Sequence, residues 1–216
     1  MKEGKANVMK MYSEFEEKLN IGSHAIGIVL SVIALFFLIQ KAGRYQDPLQ
    51  YISFIVFGLS MLSLYIASTT YHSAIDFEKR FKLKIFDHIS IFIFIAGSYT
   101  PYALVTLQGK IGWIVLGVVW GVALFGSIVK IFFTGRFKLL STLLYVTMGW
   151  IVVFSYKTLA QNLSEDGLFW LLAGGAAYTI GAIFYSIGRL KFNHAIFHVF
   201  VLLGSLCHFI SIYFYV

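Results

Sequence analysis

The C-terminal stretch 193-NHAIFHVFVLLGSLCHFISIYFYV-216 decides how this chain folds. The hydrocarbon core of a bilayer is about 30 Å thick and a helix rises about 1.5 Å per residue, so about twenty apolar residues cross it. This run of 24 residues is long enough and contains no lysine. Working back from it, six further stretches qualify: Ile21–Gln40, Tyr51–Tyr71, Ile85–Leu107, Ile111–Phe133, Leu139–Tyr156 and Gly167–Gly188. In lipid every backbone polar group must find its partner inside the protein, and the short alternating segments of a barrel are absent from the sequence. The expected fold class is therefore all-α, a seven-transmembrane helix bundle. Residues 1–20 form an N-terminal segment and residues 21–216 a single transmembrane domain.

Composition excludes the main alternatives. Of the 216 residues 59% are hydrophobic and only 12% charged, with a mean hydropathy of +0.80, against roughly 45–50% apolar residues in soluble domains. Polar surface is too scarce to cover a water-facing globule. The net charge of +7 does not indicate a nucleic-acid partner, because the basic residues fall in short breaks between apolar runs, where anionic headgroups lie. The lone cysteine, Cys207, sits in an apolar run and reads as a small packing residue. About twenty polar residues precede the first apolar run and no small-residue cleavage pattern follows it, so no removable signal peptide is expected. The localisation implied is a cell membrane, crossed several times.

Direction follows from the lysines and arginines, which are retained on the cytoplasmic side. Lys2, Lys5, Lys10 and Lys18, then Lys79, Arg80, Lys82 and Lys84, then Lys130, Arg136 and Lys138, and finally Arg189 and Lys191 place thirteen on one side. Lys41, Arg44, Lys110 and Lys157 place four on the other. The expectation is a cytoplasmic N-terminus and an extracytoplasmic C-terminus.

That direction gathers polar residues at one depth. Span two ends inside at His72, span three starts inside at Asp87, and span seven starts inside with His194 and His198. Glu17, Asn20, Ser23 and His24 open span one at the same level, whereas His208 lies toward the outer end. Residues four apart share a helix face, so His194 and His198 can point at one ion, with His72 as third ligand. Three histidines with a fourth position left to water is the arrangement of a catalytic zinc site, in which the metal acidifies its water. Ser68 lies one turn deeper than His72 on the same face. Asp87 suits proton transfer or orientation of that water, and equally suits a helix cap or a pairing with Lys84 or Arg80. His88 points about 100° away from Asp87 and reads as interfacial; His208 reads as packing or outer-interface polarity, and Pro101 as a kink in span three.

These residues resemble the hemolysin III family of bacterial membrane proteins and, more distantly, the progestin and adipoQ receptors. Glu17-Lys-Leu-Asn20-Ile-Gly-Ser23-His24 resembles the opening signature of that superfamily, with Ser where Thr is common. Ser68-Thr-Thr-Tyr-His72-Ser73 resembles its second-span motif, Asp87 with Gly97-Ser-Tyr-Thr-Pro101-Tyr its third, and His194-Ala-Ile-Phe-His198 its last. The resemblance implies a Zn²⁺ held by His72, His194 and His198, with Ser68 and Asp87 beside the metal's water. Alkaline ceramidases in the wider superfamily imply hydrolysis of a lipid amide.

The leading expectation is thus a zinc-dependent intramembrane hydrolase of a lipid amide, with Asp87 and Ser68 as catalytic residues. Its partners are membrane lipids, with a lipid amide or free fatty acid inside the bundle. Two alternatives stand beside it: a membrane sensor or receptor with structural zinc, and a hemolysin-type membrane-damaging protein. A pore calls for a polar stripe through the full bilayer depth, whereas the polar residues are expected to stop near the inner third.

Overall fold

A computed structural model describes residues 12–45, 47–134 and 138–216. Lys2, Lys5, Lys10 and Arg136, on which the expected orientation partly rests, lie outside the described residues, as does the side chain of Lys138. Seven helical segments are long and apolar enough to cross a membrane, and among the described residues there is no strand.

The helices overrun the apolar stretches, because polar residues at the water interface continue a helix once it is started. Span one is α1 (Glu14–Tyr45), whose first turn carries Glu14, Glu16 and Glu17 against the positive end of the helix dipole. Span two is α2 (Pro48–Ser73); Asp47 Oδ1 accepts from the Leu49 amide at 2.9 Å and Pro48 supplies a preset first turn. Span three, α3 (Phe77–Pro101), begins well before Ile85 because Asp76 accepts from the Lys79 amide at 2.8 Å. At Pro101, which lacks an N–H, the α-helix passes into a π-helical stretch, Tyr102–Leu107. A tight turn follows, with Gln108 at φ 51° and Gly109 at φ 48°, and leads into α4 (Gly109–Phe133).

Span five is not one continuous helix. It comprises α5 (Lys138–Gly149), a 3₁₀ segment Ile151–Ser155 and α6 (Tyr156–Asn162). A break inside lipid needs polar partners. Tyr99 supplies them, its hydroxyl donating to the Gly149 carbonyl at 2.6 Å and accepting from the Val152 amide at 2.9 Å. Span six is α7 (Glu165–Ser186), and span seven is α8 (Asn193–Tyr215), entered through Phe192 in the left-handed region at φ 60°. Asn193 Nδ2 donates to the Tyr185 carbonyl at 2.9 Å, fixing the start of α8 against the end of α7.

Close packing brings α1, α2, α3 and α8 around one end of the bundle. A Cβ at Gly27 would fall 2.5 Å from a Tyr65 ring carbon, so α1 meets α2 only because that position is bare. The Tyr65 hydroxyl then donates to Ser205 Oγ at 2.7 Å, tying α2 to α8. Phe54, Phe57, Phe92, Val119 and Ile212 fill the interior. Phe36, Leu124, Phe125 and Phe132 stand exposed on the outside, where lipid is the natural solvent.

Candidate metal centre

Three imidazoles from two helices meet at the end of the bundle where α1, α3 and α8 begin. His194 Nε2 lies 3.0 Å from His72 Nε2 and 3.1 Å from His198 Nε2. All three rings are buried, and their ligand atoms lie within 4.8 Å of one another. The i, i+4 spacing on α8 stacks His194 and His198 on one face, and α2 delivers His72 from its last turn.

The other ring nitrogens show which lone pairs are available. His72 Nδ1 is 2.6 Å from Glu17 Oε2, and an ionised carboxylate only accepts, so the proton sits on Nδ1. His198 Nδ1 is 3.3 Å from the Asn20 carbonyl, which likewise only accepts. Both Nε2 atoms therefore turn lone pairs toward His194. Tetrahedral zinc with Zn–N of about 2.0–2.1 Å needs nitrogens about 3.3 Å apart, close to the separations present. A carboxylate or carbonyl on the far nitrogen is also what orients metal-binding histidines. The triad can hold a divalent cation, and its donor chemistry suits zinc.

Glu17 does more than orient His72. It also pairs with Arg80, whose Nη1 donates to the carbonyls of His72 at 3.3 Å and Ala74 at 3.1 Å, where α2 ends. Of the two cations that could pair with Asp87, Arg80 is engaged by Glu17, while Lys84 acts electrostatically on Asp87. Asp87 does not cap its helix, a role that Asp76 takes. Glu17 and Asn20 were legible only as polar residues at the right level; their spacing of three, continued by His24, puts them on one face but does not say which distant histidine they meet.

Next to the triad lies a cavity of about 170 Å³, whose lining includes His194, His198, Ser68 and Asp87. His24 lines it too, with its ring stacked on His198 at 3.6 Å between centroids. Half-buried His88 also reaches the lining. The cavity continues toward the opposite end of the bundle past Tyr99, Leu159 and Thr179 to His208. His208 is about 21 Å along α8 from His194 at about 1.5 Å per residue. It packs edge-on to Tyr178 and fills the space left by Gly174. Polar residues therefore line the cavity well beyond the end that carries the triad, further than expected.

Lys130, one of the thirteen basic residues on which the expected orientation rests, is buried inside α4 and faces the same cavity. Its place on the seam Val115, Val119, Ala123, Gly126 was the available signal.

Fold and site together define a multi-pass membrane protein with a buried tri-histidine cluster able to bind a metal ion. Sequence comparison makes the assignment specific. The Haemolysin-III related family model matches residues 12–209, and the chain belongs to the hemolysin III family. It is 46% identical to Hemolysin-3 of Bacillus cereus over 93% of this chain and 92% of that protein. It is 44% identical to the Hemolysin-3 homolog of Bacillus subtilis (strain 168), over 95% and 96% respectively. The human Monocyte to macrophage differentiation factor is 28% identical over 93% of this chain and 84% of its own length.

Proposed function

We propose that the protein is a zinc-dependent intramembrane hydrolase of a lipid amide, ceramidase-like in its reaction. The observation that carries this reading is the convergence of three Nε2 atoms beside a largely apolar cavity that also holds Asp87 and Ser68. Bound Zn²⁺ supplies Lewis acidity and makes water a nucleophile near neutral pH. Asp87 accepts the proton of the attacking water and returns it to the departing amine as the C–N bond breaks. The Ser68 hydroxyl, which lies against Asp87, donates to the carbonyl oxygen as it gains negative charge. His72, His194 and His198 hold the ion, and Glu17 keeps His72 in the required tautomer. The apolar walls accept an acyl chain and keep bulk water from the reacting bond.

The test is metal analysis of purified full-length protein together with release of fatty acid from a panel of lipid amides. Release that stops on chelation and returns with zinc is the expected result. No release from any lipid amide by the zinc-loaded protein would reject the enzyme and leave structural zinc in a sensor. The name Hemolysin-3 carried by a close relative favours a second reading, membrane damage; dye leakage from vesicles without lipid hydrolysis would support it.

A further inference from the structure

Lys130 is 4% exposed, in a span with no other basic residue beyond Lys110 at its start. Its Nζ donates to Ser141 Oγ at 2.5 Å and lies 5.9 Å from the Tyr145 ring centroid. Among the described residues no carboxylate pairs with it. Arg80, the buried cation at the triad, contrasts with this, being paired to Glu17. A charge withdrawn from water into a membrane span is costly unless a counter-charge meets it. A hydroxyl and a distant ring face supply only partial compensation. Lys130, Ser141 and Tyr145 all line the cavity that His194, His198, Ser68 and Asp87 share, so the missing counter-charge can arrive with a ligand.

We propose that Lys130, positioned by Ser141 and Tyr145, is the head-group subsite of this cavity, and that its ligand is an amphiphile with an anionic head, a carboxylate or a phosphate monoester. The ammonium makes a charge-assisted hydrogen bond to the head. The chain lies along Ile91, Ile95 and Leu159, on the apolar part of the wall. The inference needs the cavity and the lysine only, and holds whether or not the triad hydrolyses anything.

Three probes with one long chain and different heads test it: oleate, oleyl phosphate and oleyl alcohol, bound to the purified zinc-loaded full chain in neutral detergent and referenced to empty micelles. One or both anionic probes are expected to bind at least about tenfold more tightly than the alcohol, the value of one hydrogen bond to a charged group. Lys130→Met should abolish that preference while leaving alcohol binding and zinc content unchanged, and Lys130→Arg should keep it. Equal binding of all three probes by the parent overturns the proposal without recourse to any variant, so a misfolded Lys130→Met does not blunt the test. Undiminished anion preference in folded Lys130→Met overturns it as well. Displacement of the probes by inorganic phosphate would show a site for free anions and overturn the amphiphile. Hydrolysis is not among the readouts, so failure here and failure of the hydrolase reading are separate results.

Discussion

Glu17 and His72, 55 residues apart in the chain, meet with Oε2 2.6 Å from Nδ1. That contact fixes the imidazole proton on the side away from the triad and turns the Nε2 lone pair inward. Because Glu17 also holds Arg80, and Arg80 holds the carbonyls at the end of α2, one carboxylate on α1 both orients the His72 ring and secures the helix end that carries it.

Glu17→Gln keeps an acceptor near His72 but removes the charge that favours Nδ1–H and pairs with Arg80. Zinc affinity should fall about 10–100-fold, the usual effect of removing a group that orients a metal ligand. A competitive chelator titration measures it, and unchanged affinity would mean that Glu17 serves only the Arg80 contact.

His72→Ala, His194→Ala and His198→Ala should each lose most of the zinc found in the parent, whereas His208→Ala, about 21 Å further along α8, should keep it. Elemental analysis of the purified variants reads this directly. Chelation should also lower the unfolding temperature of the parent, because an ion joining α2 to α8 stabilises only the folded bundle. Full zinc retention in a combined His194→Ala and His198→Ala variant would place the metal elsewhere.

The triad was legible in the sequence for a physical reason: a bilayer fixes both the length and the depth of every span, so His72, Asp87, His194 and His198 could be set at one level before any contact was known. What one dimension could not give was the rotation of each helix. Glu17 and His24 sit at the right depth, yet only packing shows that one bonds His72 and the other stacks on His198. Lys130 falls inside the expected span Ile111–Phe133, but a lysine near a span end normally reaches water, and its burial against Ser141 and Tyr145 of α5 depends on how the two helices are rotated. The break in span five was hidden for a similar reason: Val146–Phe154 contains no proline, and the partner that permits the break, Tyr99, lies on α3.

Reporter fusions should place the N-terminus in the cytoplasm and the C-terminus outside. The motive is the division of basic residues, thirteen against four. Setting aside the buried Arg80, Lys84 and Lys130 takes three charges from the larger group and leaves the bias in the same direction. A cytoplasmic C-terminus would reverse the assignment of the triad to the inner leaflet.

Gly27→Ala should lower stability by about 1–3 kcal/mol, the range for overpacking a filled interior. The new methyl would sit 2.5 Å from the Tyr65 ring, which is held in place by its bond to Ser205. Gly117→Ala, where a Cβ meets nothing within 4 Å, should instead be neutral or gain up to about 1 kcal/mol from helix propensity. Thermal unfolding of both in detergent makes the comparison; equal effects would mean that the α1–α2 contact yields to the added methyl without cost.

Asp87 and Ser68 separate an enzyme from a structural site, because both line the cavity and neither belongs to the triad. Asp87→Asn keeps the shape of the side chain and removes the proton acceptor, so zinc content and fold should be preserved while lipid-amide hydrolysis is abolished. Ser68→Ala should be milder. Loss of one donor to a developing oxyanion costs about 10²–10³ in turnover, and a cation polarising the same carbonyl reduces that loss. Asp87→Asn retaining both zinc and full activity would remove Asp87 from the chemistry. If Asp87→Asn loses its zinc along with its activity, the carboxylate acts on the ion and the proton must go to another acceptor; His24, which lines the cavity against His198, is then the residue to change next.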